Sequence, residues 1–165
     1  MHPRERFAQY VTDFDKTVED DDWSRIERHF TDDAIREEHA LPVISLRHEG
    51  LETIIDEWRK MVVNFDRRFD VRILVPTGPV HQDGNTVTMP WVGIYIIRGT
   101  PALLGEGQEI ARYEGDRIKH LQTTWTAEAI QRVIDWGAQY AGGVPGLAEY
   151  TASLAAIRTT PQQTS

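Results

Sequence analysis

Residues 86 to 125 hold three long extended patterns, Thr86 to Ile97, Gly107 to Tyr113 and Arg117 to Trp125. Asp83-Gly84-Asn85 precedes the first and Glu114-Gly115-Asp116 separates the last two. Both triplets carry the residues that tight antiparallel turns require. Three helical patterns, an early short strand and a further extended pattern at residues 69–75 come before this block, and a helix follows it. Helices and strands kept apart along the chain predict an α+β fold, with a curved antiparallel sheet and its helices on one face.

The helical patterns are specific. Phe7, Tyr10, Val11, Phe14 and Val18 recur at helical spacing and predict a helix over about residues 4–19. Asp22 is placed to cap a short second helix carrying Trp23, Ile26 and Phe30. Thr31-Asp32-Asp33 reads as a turn and Ala34 to His39 as a short strand; Leu41 to Leu46 is an apolar loop or extended segment ending at Gly50. A third helix over 51–64 aligns Leu51, Ile54, Ile55, Trp58 and Met61 or Val62. Phe69, Val71, Ile73 and Val75 alternate with polar residues, as in a half-buried strand. Pro90 inside a strand pattern predicts an edge or a bulge, and Gly93 strong curvature. Thr126 caps a last long helix through Trp136. After the Gly142–Gly146 break, residues 147–157 could form a short helix, and Thr159–Ser165 is a polar tail expected to be mobile. The organisation expected is one domain over 1–145 and a C-terminal extension over 146–165.

Composition removes several functions. The 165 residues contain no cysteine, which excludes thiolate catalysis, disulfides and thiolate metal sites. A net charge of −8 argues against binding a nucleic-acid backbone. No apolar run approaches the roughly 18 residues a membrane helix needs. No signal-like apolar region opens the chain, so the cytoplasm is the expected compartment. The acidic run Glu19–Asp22 lacks the calcium-loop ligand order. The six histidines never fall at helical zinc spacing. Gly105-Glu106-Gly107 does not lead from a strand into a helix, so it is not a dinucleotide loop. Neither a metal nor a cofactor is expected.

Asp22-Trp23, the run Phe30-Thr31-Asp32-Asp33-Ala34-Ile35, Gly50 and the hairpin Tyr113-Glu114-Gly115-Asp116-Arg117-Ile118 together resemble the nuclear transport factor 2-like superfamily. The likeness is to its SnoaL-like (polyketide cyclase-like) and ketosteroid-isomerase-like branch, over about residues 6–140. The resemblance implies a cone-shaped sheet enclosing a pocket. It implies a carboxylate base just past the Asp-Asp-Ala turn, at Glu38, and a protonated acid before the late hairpin, at Glu109. Phe14 stands where the family has an oxyanion-hole tyrosine, and Tyr10 is one turn away. Arg112 and Arg117 occupy strands used by the epoxide-hydrolase branch, without the matching aspartates.

Two carboxyls facing one apolar cavity can divide into base and acid, because burial and a like charge both raise a carboxyl's pKa. Strand parity leaves the pocket group open. If Ile35 faces the core, Glu37 and His39 share its side and Glu38 points away, unless a bulge intervenes. His39 and His120 lie on strands that could meet, and either could act as a base near neutrality. Tyr10, Phe14, Trp23, Trp58, Trp91, Tyr95 and Trp125 supply broad apolar walls. A hydrophobic small molecule (polycyclic, terpenoid or aromatic) is the ligand these walls suit. The leading expectation is cofactor-independent isomerisation, cyclisation or hydration, with Glu38 as base and Glu109 as acid. The alternatives are a non-catalytic ligand-binding or dimerisation domain, and a hydrolase whose water is held by His39 and a carboxylate. Residues 91–97 are apolar on both strand faces, so the outer face is expected to form a homodimer.

Overall fold

The structure is a computed structural model that describes residues 2–40 and 44–159. Its helices are α1 (Pro3–Asp20), α2 (Ser24–Glu27), α3 (Leu51–Asn64), α4 (Ala127–Tyr140) and α5 (Leu147–Thr159). The strands are β1 (Phe30–Ala40), β2 (Ile44–Glu49), β3 (Val71–Pro76), β4 (His81–Asp83), β5 (Thr86–Ile96), β6 (Leu103–Glu114) and β7 (Arg117–Trp125). They form one open sheet in the order β2-β1-β7-β6-β5-β3, with β4 also on β5. The fold is α+β. Its sheet is mixed where an antiparallel one was expected, because β1 returns from the helices to pair parallel with β7.

The helices follow their apolar spacing. α1 buries Phe7, Tyr10 and Val18, and α3 buries Ile54, Ile55, Trp58 and Val62. The Thr126 hydroxyl accepts the Ala129 amide at 3.1 Å and fixes the start of α4. The second helix is a single turn. Phe30 has left it to open β1, opposite Ile118. Thr31-Asp32-Asp33 is correspondingly no turn but a bulged part of β1, where the register against β7 shifts between Phe30 and Ile35. Leu41–Val43 lie outside the described residues, as does the polar tail beyond residue 159.

That bulge decides the parity of β1. Ala34, Arg36 and Ala40 are buried, and Ile35 takes the outer face with Glu37 and His39. In β3 the expected alternation is present but inverted. Val71, Ile73 and Val75 are 38%, 44% and 40% exposed, while Arg72 and Leu74 turn inward. Pro90 is neither at an edge nor in a bulge. It sits where the partner of β5 changes from β4 to β3, so its missing N–H breaks no ladder.

Gly105 faces the rings of Trp125 and Trp91, and a Cβ there would overlap the Trp125 indole. The Gly-Glu-Gly stretch thus makes room for two indoles at right angles, 4.9 Å apart. Gly137 does the same for helices: a Cβ would clash with Thr151, so α4 and α5 pack closely. Leu147 and Thr151 are buried, and α5 contacts α3, α4 and β2. Residues 147–159 are thereby a wall of the same core. Among the described residues, no helix is long and apolar enough to cross a membrane.

Candidate functional site

The concave face and its helices enclose a cavity of ≈ 130 Å³. α1 supplies Tyr10 and Phe14, α3 supplies Trp58, β5 supplies Trp91 and Tyr95, and β7 supplies Trp125. Both Glu38 and Glu109 line it. α4 and α5 close the other side with Ile130, Val133, Tyr150 and Leu154, which sequence reasoning missed because those positions read as ordinary helix core.

Three strands place the central polar row. Glu38 of β1 is opposite Thr123 of β7, and Thr123 is opposite Glu109 of β6. Two strand spacings put the backbones of the two glutamates about 10 Å apart. The Thr123 hydroxyl donates to Glu109 Oε1 at 2.8 Å. Arg36 Nη2 donates to Glu38 Oε2 at 2.7 Å and Trp125 Nε1 donates to Glu38 Oε1 at 2.9 Å, so both oxygens of Glu38 are engaged. The Arg36 guanidinium is buried over the Trp58 ring, 5.4 Å from its centroid. Arg36 Nε and Trp91 Nε1 are buried donors without a hydrogen-bond partner.

The electrostatics separate the two acids. Burial pushes Glu109 up to about 7, and the Glu38 charge adds to this; the Thr123 hydroxyl and Arg36 pull it down without compensating. A carboxyl at that value can both hold and release a proton near neutral pH. Burial also raises Tyr10, Tyr95 and Tyr150 above the usual phenol range, so these hydroxyls stay protonated.

A second charged cluster lies toward β3. Arg72 donates from Nε to Asp66 Oδ1 at 2.6 Å and from Nη1 to Asp15 Oδ1 at 2.8 Å. Asp66 is 4% exposed, and its Oδ2 has no partner. Burial raises its pKa against the attraction of Arg72. Sequence reasoning missed this cluster too. The only signal was that Arg72 alternates with the apolar residues of β3, which argues for the wrong face.

Three expected site residues do not reach the cavity. Trp23 is buried behind Phe14, its ring 6.3 Å from that of Phe14, and its Nε1 donates to Asp21 at 2.8 Å. The bulge in β1 puts His39 on the outer face, where its Nδ1 is 3.2 Å from Ser45 Oγ. His120 is on that face as well, with Nε2 2.7 Å from Glu37 Oε2; Arg47 donates to the other Glu37 oxygen at 2.8 Å. Among the described residues, no group of three or more His, Asp or Glu side chains could hold a metal.

An open sheet curled around a lined cavity, with long helices on its concave side, is the architecture of known structures. A protein from Burkholderia thailandensis described as nuclear transport factor 2-like superposes with a TM-score of 0.59 at 13% identity, over 80% of this chain and 96% of its own. This chain has the nuclear transport factor 2-like fold. A Catenulispora acidiphila protein with a ketosteroid isomerase-like fold, in complex with trimethylamine, matches 84% of this chain and 95% of its own, with a TM-score of 0.56 at 17% identity. A cystatin-like protein of unknown function from Xanthomonas campestris matches 76% and 91%, at 0.58 and 16%. No family model matches the sequence. No curated protein matches it either. The nuclear transport factor 2-like fold hosts unrelated activities, so function has to be argued from the cavity.

Proposed function

We propose that the chain is a small-molecule enzyme of the SnoaL-like, ketosteroid-isomerase-like kind, moving a proton on a compact, largely apolar substrate without a cofactor. The observation that carries this is Glu109: a half-buried carboxyl that desolvation holds at about 7, on the wall of an aromatic cavity. In this reading the Glu109 carboxylate takes the proton from a carbon beside a carbonyl. The C–H electron pair passes to the carbonyl oxygen, where the Arg36 Nε–H and Trp91 Nε1–H are the donors for the developing charge. The Glu109 acid then returns the proton, to the same carbon in a simple ketone (exchange), or to the far carbon of a C=C conjugated with the enolate in a β,γ-unsaturated ketone, which completes an isomerisation. Glu38, with both oxygens occupied, holds Arg36 in place instead of acting as the base.

The volume narrows the substrate. A cavity of about 150 Å³ admits a benzene-sized molecule, so ≈ 130 Å³ favours a single ring over a polycycle. The test is hydrogen–deuterium exchange next to the carbonyl of small cyclic ketones in D₂O. The wild-type protein is expected to accelerate it, and Glu109→Gln to slow that acceleration by about 10²–10⁴-fold. Equal rates in the two proteins would remove Glu109 from the role. Ketone binding with no exchange in either would leave the non-catalytic binding reading.

The outer sheet face is proposed to pair with a second copy of the chain. Ile73, Ile94 and Leu104 lie in register across β3, β5 and β6, flanked by Val71 with Ile96 and by Val75 with Val92. Ile73 and Leu104 are each 44% exposed, and contiguous apolar surface of this kind marks an interface. Light scattering at micromolar concentration is expected to give twice the 18.9 kDa chain mass, and Ile73→Lys to give that mass itself. A wild-type monomer would overturn the pairing.

A further inference from the structure

We propose that the end of the cavity at Asp66 is a subsite for a compact organic ammonium group on the ligand. The inference rests on reading the cavity as a ligand site and adds which chemistry its far end selects. Asp66 comes from the 3-10 turn Asp66–Arg68 that follows α3, on a different element from the Glu38–Thr123–Glu109 row. Its side chain is almost wholly buried, one oxygen is bound to Arg72, and Oδ2 is left without a donor. A buried carboxylate oxygen in that position calls for an N–H or O–H from something in the cavity.

Charge selects the N–H. Arg72 lies between Asp66 and Asp15, two carboxylates for one guanidinium. The cavity wall as a whole carries Asp15, Glu38, Asp66 and Glu109 against Arg36 and Arg72. A hydroxyl would satisfy Oδ2 and leave this excess untouched, whereas an ammonium answers both. The surroundings fit a cation. The Phe65 ring is 5.1 Å from that of Tyr95 and 5.3 Å from that of Tyr150, and all three line the cavity with Asp66. Aromatic faces attract cations most strongly where water is excluded. The groups that act on Asp66 from neighbouring elements are Arg72 of β3, Asp15 of α1, Glu38 of β1, Tyr95 of β5 and Tyr150 of α5. On its own turn, Arg67 turns away to the Val18 carbonyl oxygen and Arg68 lies beside Gly146.

Pyrrolidine and tetrahydrofuran have the same ring size, but only the first is a charged N–H donor at neutral pH. Titration of the full chain at pH 8, followed by NMR, is expected to show pyrrolidine binding at least about tenfold more tightly. Its affinity is expected to fall as the pH is lowered and protons compete for the cavity carboxylates, Glu109 first and Asp66 with it, both raised by burial. Asp66→Asn should remove the preference and leave tetrahydrofuran binding unchanged. Tyr150→Leu keeps the carboxylate and should weaken pyrrolidine selectively, which covers the case in which the Asn variant misfolds. Tetrahydrofuran binding as well as pyrrolidine would overturn the subsite and leave the cavity as a ligand site. A preference that survives Asp66→Asn would overturn it as well. Failure of both probes to bind would overturn the cavity reading and this inference together.

Discussion

At pH 8 the Glu109→Gln protein is expected to be more stable than the wild type, by about 3 kcal/mol, or roughly 6–12 °C in melting temperature. The folded pKa of Glu109 lies at about 7 against an ordinary 4.5. Below 4.5 both folded and unfolded chains hold the proton, and the half-buried neutral acid costs little. Between 4.5 and about 7 the unfolded chain has released its proton while the folded chain still binds one. Stability therefore falls as pH rises through that window, and the loss is complete above it. Glutamine has no proton to lose, and its carbonyl oxygen can still accept the Thr123 hydroxyl. Urea unfolding of both proteins from pH 4 to 8 isolates this slope, because every other titrating group is shared. Parallel curves would show that Glu109 ionises normally, and the proton-transfer reading would fail with it. The same substitution is expected to cost activity and gain stability, the usual relation where a functional group is held in an environment that disfavours its charge.

Much of the frame was legible because it follows from spacing. α1 and α3 follow from apolar residues at helical intervals, and the late hairpin from Glu114-Gly115-Asp116. The cavity was harder to read because its floor breaks the local rules. In β3 Val71, Ile73 and Val75 face outward while Arg72 faces in beside Leu74, because Asp15 and Asp66 supply the partners that let a guanidinium be buried. In β1 the parity depends on a bulge inside Thr31-Asp32-Asp33, which composition alone presents as a turn. Once the bulge is present, Arg36 and Glu38 share the inner face, and Glu37 with both neighbouring histidines takes the outer one. Glu38 and Glu109 were placed by family likeness and not by periodicity. Asp66 had neither guide. Departures of this kind are where a chain's local preferences yield to a site.

Arg36→Met is expected to cost about 3–5 kcal/mol at neutral pH, a large share of the total for a domain of this size. Methionine can fill the space over the Trp58 ring, so the loss is of charge and not of packing. Glu38 would be left half-buried with only the Trp125 N–H as a donor. An uncompensated buried charge is what makes breaking such a pair expensive, whereas removing both charges is often close to neutral. Arg36→Met with Glu38→Gln should therefore recover most of the loss. A purely structural ion pair predicts the same recovery, so the second readout is Glu109. Arg36 is the cation that holds the Glu109 pKa down and Glu38 the anion that pushes it up. Arg36→Met alone should move the Glu109 carboxyl titration, followed by ¹³C NMR, above its wild-type midpoint. Glu38→Gln alone should move it below. A midpoint unmoved by either change would mean that Glu109 does not share its low-dielectric pocket with the pair, and the oxyanion role given to Arg36 would have no basis.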